Sequence, residues 1–259
     1  MSDAILTGRF VWYELLTSDP DAAITFYTKI VGWGTQLWPG GEQPYTMWTA
    51  HDTPIGGVML LPEDAKKMGA RPHWLGYLST PDVDATVAHS TELGGKVLNP
   101  GMDLPEVGRI AILADPQGAV FAAFMPANPM PSGRFEPKQG DFSWHELATT
   151  DHEGAFAFYS ALFGWEKTES MDMGEMGIYQ MFGYESQTIG GMMVKPSEMP
   201  VPAWLYYAKV PDVGQLVEAV QQNGGRVLNG PMEVPDGDIV AQCEDPQGAA
   251  FAIHSAAKA

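Results

Sequence analysis

FVWYELLTSDPDAAITFYTKIVGW at residues 10–33 returns as FSWHELATTDHEGAFAFYSALFGW at residues 142–165. Within the first stretch, FVWYELLT alternates as a strand does. Asp19 then caps a helix that has Pro20 at its first position, where the missing N–H costs nothing. Ala23, Phe26, Tyr27 and Ile30 fall on one helical face, and Gly32 ends the helix. Working outward, the echo runs to the end of the chain. IGGVM at 55–59 matches IGGMM at 189–193, GGKVLNP at 94–100 matches GGRVLNG at 224–230, and ADPQGAVFAAF at 114–124 matches EDPQGAAFAIH at 244–254. A repeat of about 130 residues is too long for a solenoid unit, so each copy is expected to be a domain.

Each copy divides again. After the opening strand and helix come short strands around Trp38 and Tyr45–Thr49, then a strand at Ile55–Leu61. A second strand–helix pair follows, with the strand at Trp74–Ser79 and a helix from Asp82 to the Gly94-Gly95 pair, which suits a left-handed C-cap. Strands near Lys96–Asn99, Arg109–Leu113 and Val120–Phe124 complete the copy, with DPQG at 115–118 as the turn before the last. The chain therefore reads as α+β, four βαβββ units in two tandem domains at 1–126 and 142–259. The Pro- and Gly-rich, aperiodic segment 127–141 is the linker between them.

Composition excludes several function classes. The 259 residues are 45% hydrophobic, enough for two ordinary cores. No apolar run approaches the roughly 20 residues that cross a bilayer, and MSDAILTGRF lacks the pattern of a secretory signal. The single Cys243 rules out an internal disulfide and fits a reducing cytoplasm, where it reads as a small apolar strand residue. Net charge is -18 with only 14 Lys and Arg, so neither nucleic acid nor an anionic membrane is an expected partner. No phosphate-cradling glycine loop, G-x-S-x-G elbow or cysteine cluster is present.

The opening strand-Asp-x-x-x-Ala-x-x-Phe-Tyr-x-x-x-x-Gly-Trp, the Gly-Gly turn after the second helix and the closing Asp-Pro-x-Gly hairpin resemble the vicinal oxygen chelate superfamily. That group holds glyoxalase, bleomycin-resistance and extradiol dioxygenase proteins, and the likeness is to its bacterial tandem members. The resemblance implies paired βαβββ units whose curved sheets form a ligand-holding cup. It also implies where a metal would be bound, by His, Gln or Glu on the first strand of a unit and Glu on its last. Those positions here are Trp12, Leu75 and Ala122 in the first copy and Trp144, Leu205 and Ala252 in the second, none suited to a divalent cation.

Strand alternation places Glu146 on the face of Trp144 and His254 on the face of Ala252, with His145 on the opposite face. The first copy has Glu14 and Phe124 at those positions, so only the second can pair a carboxylate with an imidazole for acid–base work. Glu14 and Glu146, present in both copies, have an equally good structural role as acceptors for backbone N–H groups or tyrosine hydroxyls between units. Trp12 and Trp144 are candidates to stack on a flat ligand, and Tyr77 and Tyr207 to line the cup. Trp33 and Trp165 read as core plugs behind the helices. His51, His89 and His152 read as solvated, and His73 has Ala203 as its counterpart.

The expectation is a cytoplasmic protein that binds a small organic molecule, with no cofactor and with homodimerisation as an open question. The alternative is a glyoxalase-type lyase or isomerase, or a dioxygenase. It would use either a divalent metal at a displaced site or metal-free chemistry by Glu146 and His254. In a third reading the first domain serves only to dimerise or to shield the second.

Overall fold

The computed structural model describes residues 7–40, 45–128 and 136–257. Its strands form two eight-stranded mixed sheets, one from each sequence copy, which makes the fold α+β as the repeats imply. In the first copy, β1 (Phe10–Thr17), α1 (Pro20–Ile30), β2 (Gly34–Trp38), β3 (Tyr45–Ala50) and β4 (Thr53–Leu60) make one βαβββ module. After the short α2 (Glu63–Lys67), β5 (His73–Ser79), α3 (Val83–Glu92), β6 (Lys96–Leu104), β7 (Gly108–Ala114) and β8 (Val120–Pro126) make the next. The second copy repeats this with β9 (Phe142–Thr149), α4 (His152–Phe163), β10 (Glu166–Asp172), β11 (Ile178–Tyr184) and β12 (Gln187–Val194). Its last module holds β13 (Ala203–Lys209), α5 (Val213–Gln222), β14 (Arg226–Glu233), β15 (Ile239–Glu244) and β16 (Ala250–Ser255).

Within a module the first strand runs parallel to the last, and the other neighbours are antiparallel. The orders are β2-β3-β4-β1, β5-β8-β7-β6, β10-β11-β12-β9 and β13-β16-β15-β14. The helices start where the sequence says they should. Asp19, Asp82, Asp151 and Asp212 are all extended N-caps whose carboxylates accept from a backbone N–H three residues on.

By packing, the chain forms two compact units, and each draws one module from each copy. One unit holds residues 13–74, 136–144 and 205–259; the other holds 1–12, 75–135 and 145–204. The linker segment contributes to the first of these: Gly140 N–H donates to the Lys209 carbonyl at 2.7 Å, and Lys209 N–H to the Asp141 carbonyl at 2.8 Å. Its residues 129–135 lie outside the described residues.

The core of each unit is an aromatic cluster with a polar thread. In the first unit Tyr27 packs with Trp33, Trp48, Trp74 and Phe251, all buried. Trp74 Nε1 donates to the Tyr27 hydroxyl at 2.9 Å, which donates to Asp245 Oδ2 at 3.1 Å. Asp245 Oδ1 in turn accepts the N–H groups of Gln247 and Ala249, holding the DPQG turn. The second unit repeats the thread as Trp204, Tyr159 and Asp115, with Asp115 Oδ1 accepting from Gln117, Gly118 and Ala119. Burial raises the pKa of both carboxyls, while the turn N–H groups and the tyrosine pull it back down. Trp33 and Trp165 close the cores as expected, with Nε1 donating to the Gly140 and Gly8 carbonyls.

Candidate functional site

The chemistry-bearing residues gather on the last module, with Ser143 of β9 beside it. Phe251 packs against Phe26 and Tyr27 of α1, so alternation along β16 turns Ala252 and His254 to the face away from that helix. His254 is largely covered, its side chain 17% exposed. Its Nε2 lies 2.7 Å from Asp238 Oδ2, and its Nδ1 lies 2.8 Å from Ser143 Oγ. Asp238 sits just before β15 and also accepts the Ala257 N–H at 2.9 Å. Partial burial works against the Asp238 carboxylate, but the hydrogen bonds from His254 and Ala257 outweigh it and its pKa is lowered. Ser143 Oγ also lies 3.2 Å from the Tyr207 carbonyl.

One step along the same face, Ala252 has Tyr207 beside it on β13 and Gln242 beside it on β15. The two long side chains join over the alanine, Gln242 Nε2 donating to the Tyr207 hydroxyl at 3.0 Å. The first copy has none of this polar chemistry beyond the tyrosine. Register places Ile110 against Phe124 and Ile112 against Ala122, where the second copy places Val240 against His254 and Gln242 against Ala252. Val11 and Gly108 stand where Ser143 and Asp238 stand. Tyr77 meets Phe124 edge-on at 5.9 Å. Ser143, Asp238 and Gln242 were not singled out from the sequence, although comparing the two copies position by position would have exposed them.

Glu14 and Glu146 each accept from a tyrosine of the same unit: Tyr45 Oη is 2.6 Å from Glu14 Oε2, and Tyr179 Oη is 3.1 Å from Glu146 Oε2. In each case a glycine, Gly57 or Gly191, pairs with the glutamate across the strands and leaves the tyrosine ring room to pass. Both carboxylates are buried. Glu146 and His254 belong to separate packing units, each with the partners just given. His145 faces the core as alternation predicts. It stacks on Phe10 with centroids 4.0 Å apart, and its Nδ1 lies 2.7 Å from the Ile189 carbonyl. Burial pushes its imidazole down to about 4, against the opposing pull of that carbonyl.

Trp12 and Trp144 are half-buried on β1 and β9. Cys243 is buried on β15, and burial raises its thiol to about 12, which makes it inert at neutral pH. His51, expected to be solvated, is exposed but held by the Gln139 carbonyl at 2.6 Å from its Nε2.

A divalent metal does not fit the positions at which the resemblance would place its ligands. Trp12, Leu75 and Ala122, and likewise Trp144, Leu205 and Ala252, present no carboxylate, imidazole or thiolate. Among the described residues no three His, Cys, Asp or Glu side chains gather in a metal-holding group.

Comparison with known proteins agrees with the fold. The family described as Glyoxalase/Bleomycin resistance protein/Dioxygenase superfamily matches residues 9–122 and 142–253. The protein CFP32 of Mycobacterium tuberculosis, whose name contains the word glyoxylase, is 40% identical over 122 residues, 47% of this chain and 45% of its own length. The chain thus aligns with less than half of that relative. The anthracycline biosynthesis protein DauV of Streptomyces sp. strain C5 is 28% identical across 95% of this chain and 92% of its own. Among solved structures, the Mn(II)-bound glyoxalase from Novosphingobium aromaticivorans superposes with a TM-score of 0.67 at 15% identity, covering 98% of this chain and 84% of that one. The 2,3-dioxygenase LapB from Pseudomonas sp. KL28 does so at 0.65 and 12% identity, covering 98% and 94%. At such identities these structures speak to the fold alone. Among the described residues no helix is long and apolar enough to cross a membrane.

Proposed function

We propose that this chain, which belongs to the Glyoxalase/Bleomycin resistance protein/Dioxygenase superfamily, binds a small, flat organic molecule without a metal of its own. The observation that supports this reading is the hydrogen bond from Gln242 to Tyr207 over Ala252. At a position where a metal-binding relative would offer a ligand, this chain offers a methyl group under an amide–phenol pair. Such a pair can turn a donor and an acceptor toward a carbonyl or hydroxyl on a ligand. The likeness to DauV along 95% of the chain favours a ligand of the anthracycline kind, a planar aromatic ring system edged with such groups. Half-buried Trp144, in the same packing unit as Tyr207 and Gln242, would supply stacking surface for it.

The test is calorimetric titration of chelator-treated protein with an anthracycline and with bleomycin, beside elemental analysis of untreated protein. The reading expects saturable binding of the anthracycline that chelation leaves unchanged. It expects Gln242→Ala to weaken that binding at least about tenfold, the effect of roughly one hydrogen bond. Stoichiometric manganese or iron whose removal abolishes binding would overturn it.

A further inference from the structure

We propose that Ser143, His254 and Asp238 form a nucleophilic relay that transfers an acyl group from an activated ester or thioester to water. This goes beyond the binding reading and does not depend on it. The geometry is a continuous chain: Asp238 Oδ2 to His254 Nε2 at 2.7 Å, and His254 Nδ1 to Ser143 Oγ at 2.8 Å. A carboxylate only accepts, so Asp238 holds the tautomer with hydrogen on Nε2 and leaves a lone pair on Nδ1 facing the serine. The hydroxyl has one proton and two acceptors in reach. Nδ1 is the nearer, since the Tyr207 carbonyl lies at 3.2 Å. A serine bonded to a base that a carboxylate orients is the arrangement that activates a nucleophile.

Two further observations separate the relay from a packing requirement of the fold. The first copy builds the same strands with Val11, Phe124 and Gly108 at these three positions, so the architecture does not need them. Ser143 keeps part of its surface exposed, and Tyr207, whose carbonyl meets the serine, also carries the hydroxyl that Gln242 holds. The relay, with Ser143 on β9, His254 on β16 and Asp238 just before β15, therefore adjoins the polar pair through Tyr207.

In the reaction Ser143 Oγ bonds to the acyl carbon as its proton passes to His254 Nδ1. The bond from the acyl carbon to the leaving oxygen or sulfur breaks, and the leaving group takes the proton from Nδ1. Water then attacks the Ser143 ester, gives its proton to Nδ1 and releases the carboxylic acid. Ser143 recovers its hydroxyl proton, and no oxidant or reductant is required.

The experiment is labelling of the full chain with a fluorophosphonate, read by intact mass and by peptide mapping, alongside hydrolysis of p-nitrophenyl acetate. The expected result is one adduct, on Ser143, absent in Ser143→Ala and formed at least about tenfold more slowly in Asp238→Asn and His254→Gln. An adduct elsewhere, or no adduct on a folded chain whose Ser143→Cys variant is alkylated, overturns the proposal. A second variant guards against a reagent that is merely too bulky. The native chain has one cysteine, Cys243, and it is buried. Ser143→Cys should therefore be alkylated by iodoacetamide under conditions that leave the native chain untouched. A folded Ser143→Cys that resists alkylation shows the position closed to substrate and overturns the relay.

Discussion

Tyr45 reaches the Glu14 carboxylate at 2.6 Å by lying across the bare Cα of Gly57, which pairs with Glu14 on the adjacent strand. Gly57→Ala would put a methyl group into the tyrosine ring. The ring can swing away only by giving up its hydrogen bond to a buried carboxylate, so a loss of about 1–3 kcal/mol is expected in urea denaturation. Gly56→Ala should cost more, because its methyl would meet the Tyr13 backbone carbonyl, which has no such escape.

A buried neutral histidine makes stability depend on pH. The His145 imidazole titrates at about 4 in the fold against an ordinary value of 6.5. Between those values the unfolded chain binds the extra proton and the folded chain does not, so stability rises with pH through the window. The contribution is fully present above pH 6.5, falls away toward pH 4, and amounts to about 3 kcal/mol over the whole span. His145→Tyr, which copies Tyr13 of the first repeat, should flatten that part of the curve when denaturation midpoints are compared at pH 7.5 and pH 5.

Tyr27→Phe would strip the hydroxyl that both accepts from Trp74 and donates to Asp245. Two buried groups would then lose a partner at once, and a loss of about 2–4 kcal/mol is expected in thermal or urea unfolding. Tyr159→Phe should behave alike, since Trp204 and Asp115 stand in the same relation to it.

Reverting the second copy to the first gives a cleaner separation of stability from function. Gln242→Ile with His254→Phe installs the residues of Ile112 and Phe124 on strands that already accept them. Asp238 is 31% exposed and water can replace its histidine, so the double variant should stay within about 1 kcal/mol of the native chain. Anthracycline binding and phosphonate labelling should both be lost, an outcome measured on protein whose melting temperature moves by no more than about 4 °C.

The module plan was legible in the sequence because it rests on local signals: Asp19 before Pro20, the Gly94-Gly95 stop, and alternation through FVWYELLT. Helix α2 was not, since five residues after Pro62 are too few to show a helical period. The inward turn of His145 followed from parity, whereas repetition marked Glu14 and Glu146 as acceptors without choosing between backbone and tyrosine donors. The partners of His254 did not. Asp238 is brought to it by the antiparallel register of β15 and β16, and Ser143 is 111 residues away in the chain. A repeat shows which segments are alike and is silent on which of them bury one another. For that reason the pairing of Tyr27 with Asp245, one from each copy, could not be read in advance.

That pairing bears on how such a chain arises and how it can be taken apart. Since each packing unit is completed by one module from each copy, two separate half-length chains could supply every contact described for Tyr27 and Tyr159 by associating. The peptide that joins them converts that encounter from a bimolecular event, which dilution defeats, into an intramolecular one at millimolar effective concentration. It also frees the halves to diverge, because a substitution in one no longer appears twice. A histidine could then replace a phenylalanine on β16 while the phenylalanine of β8 stayed.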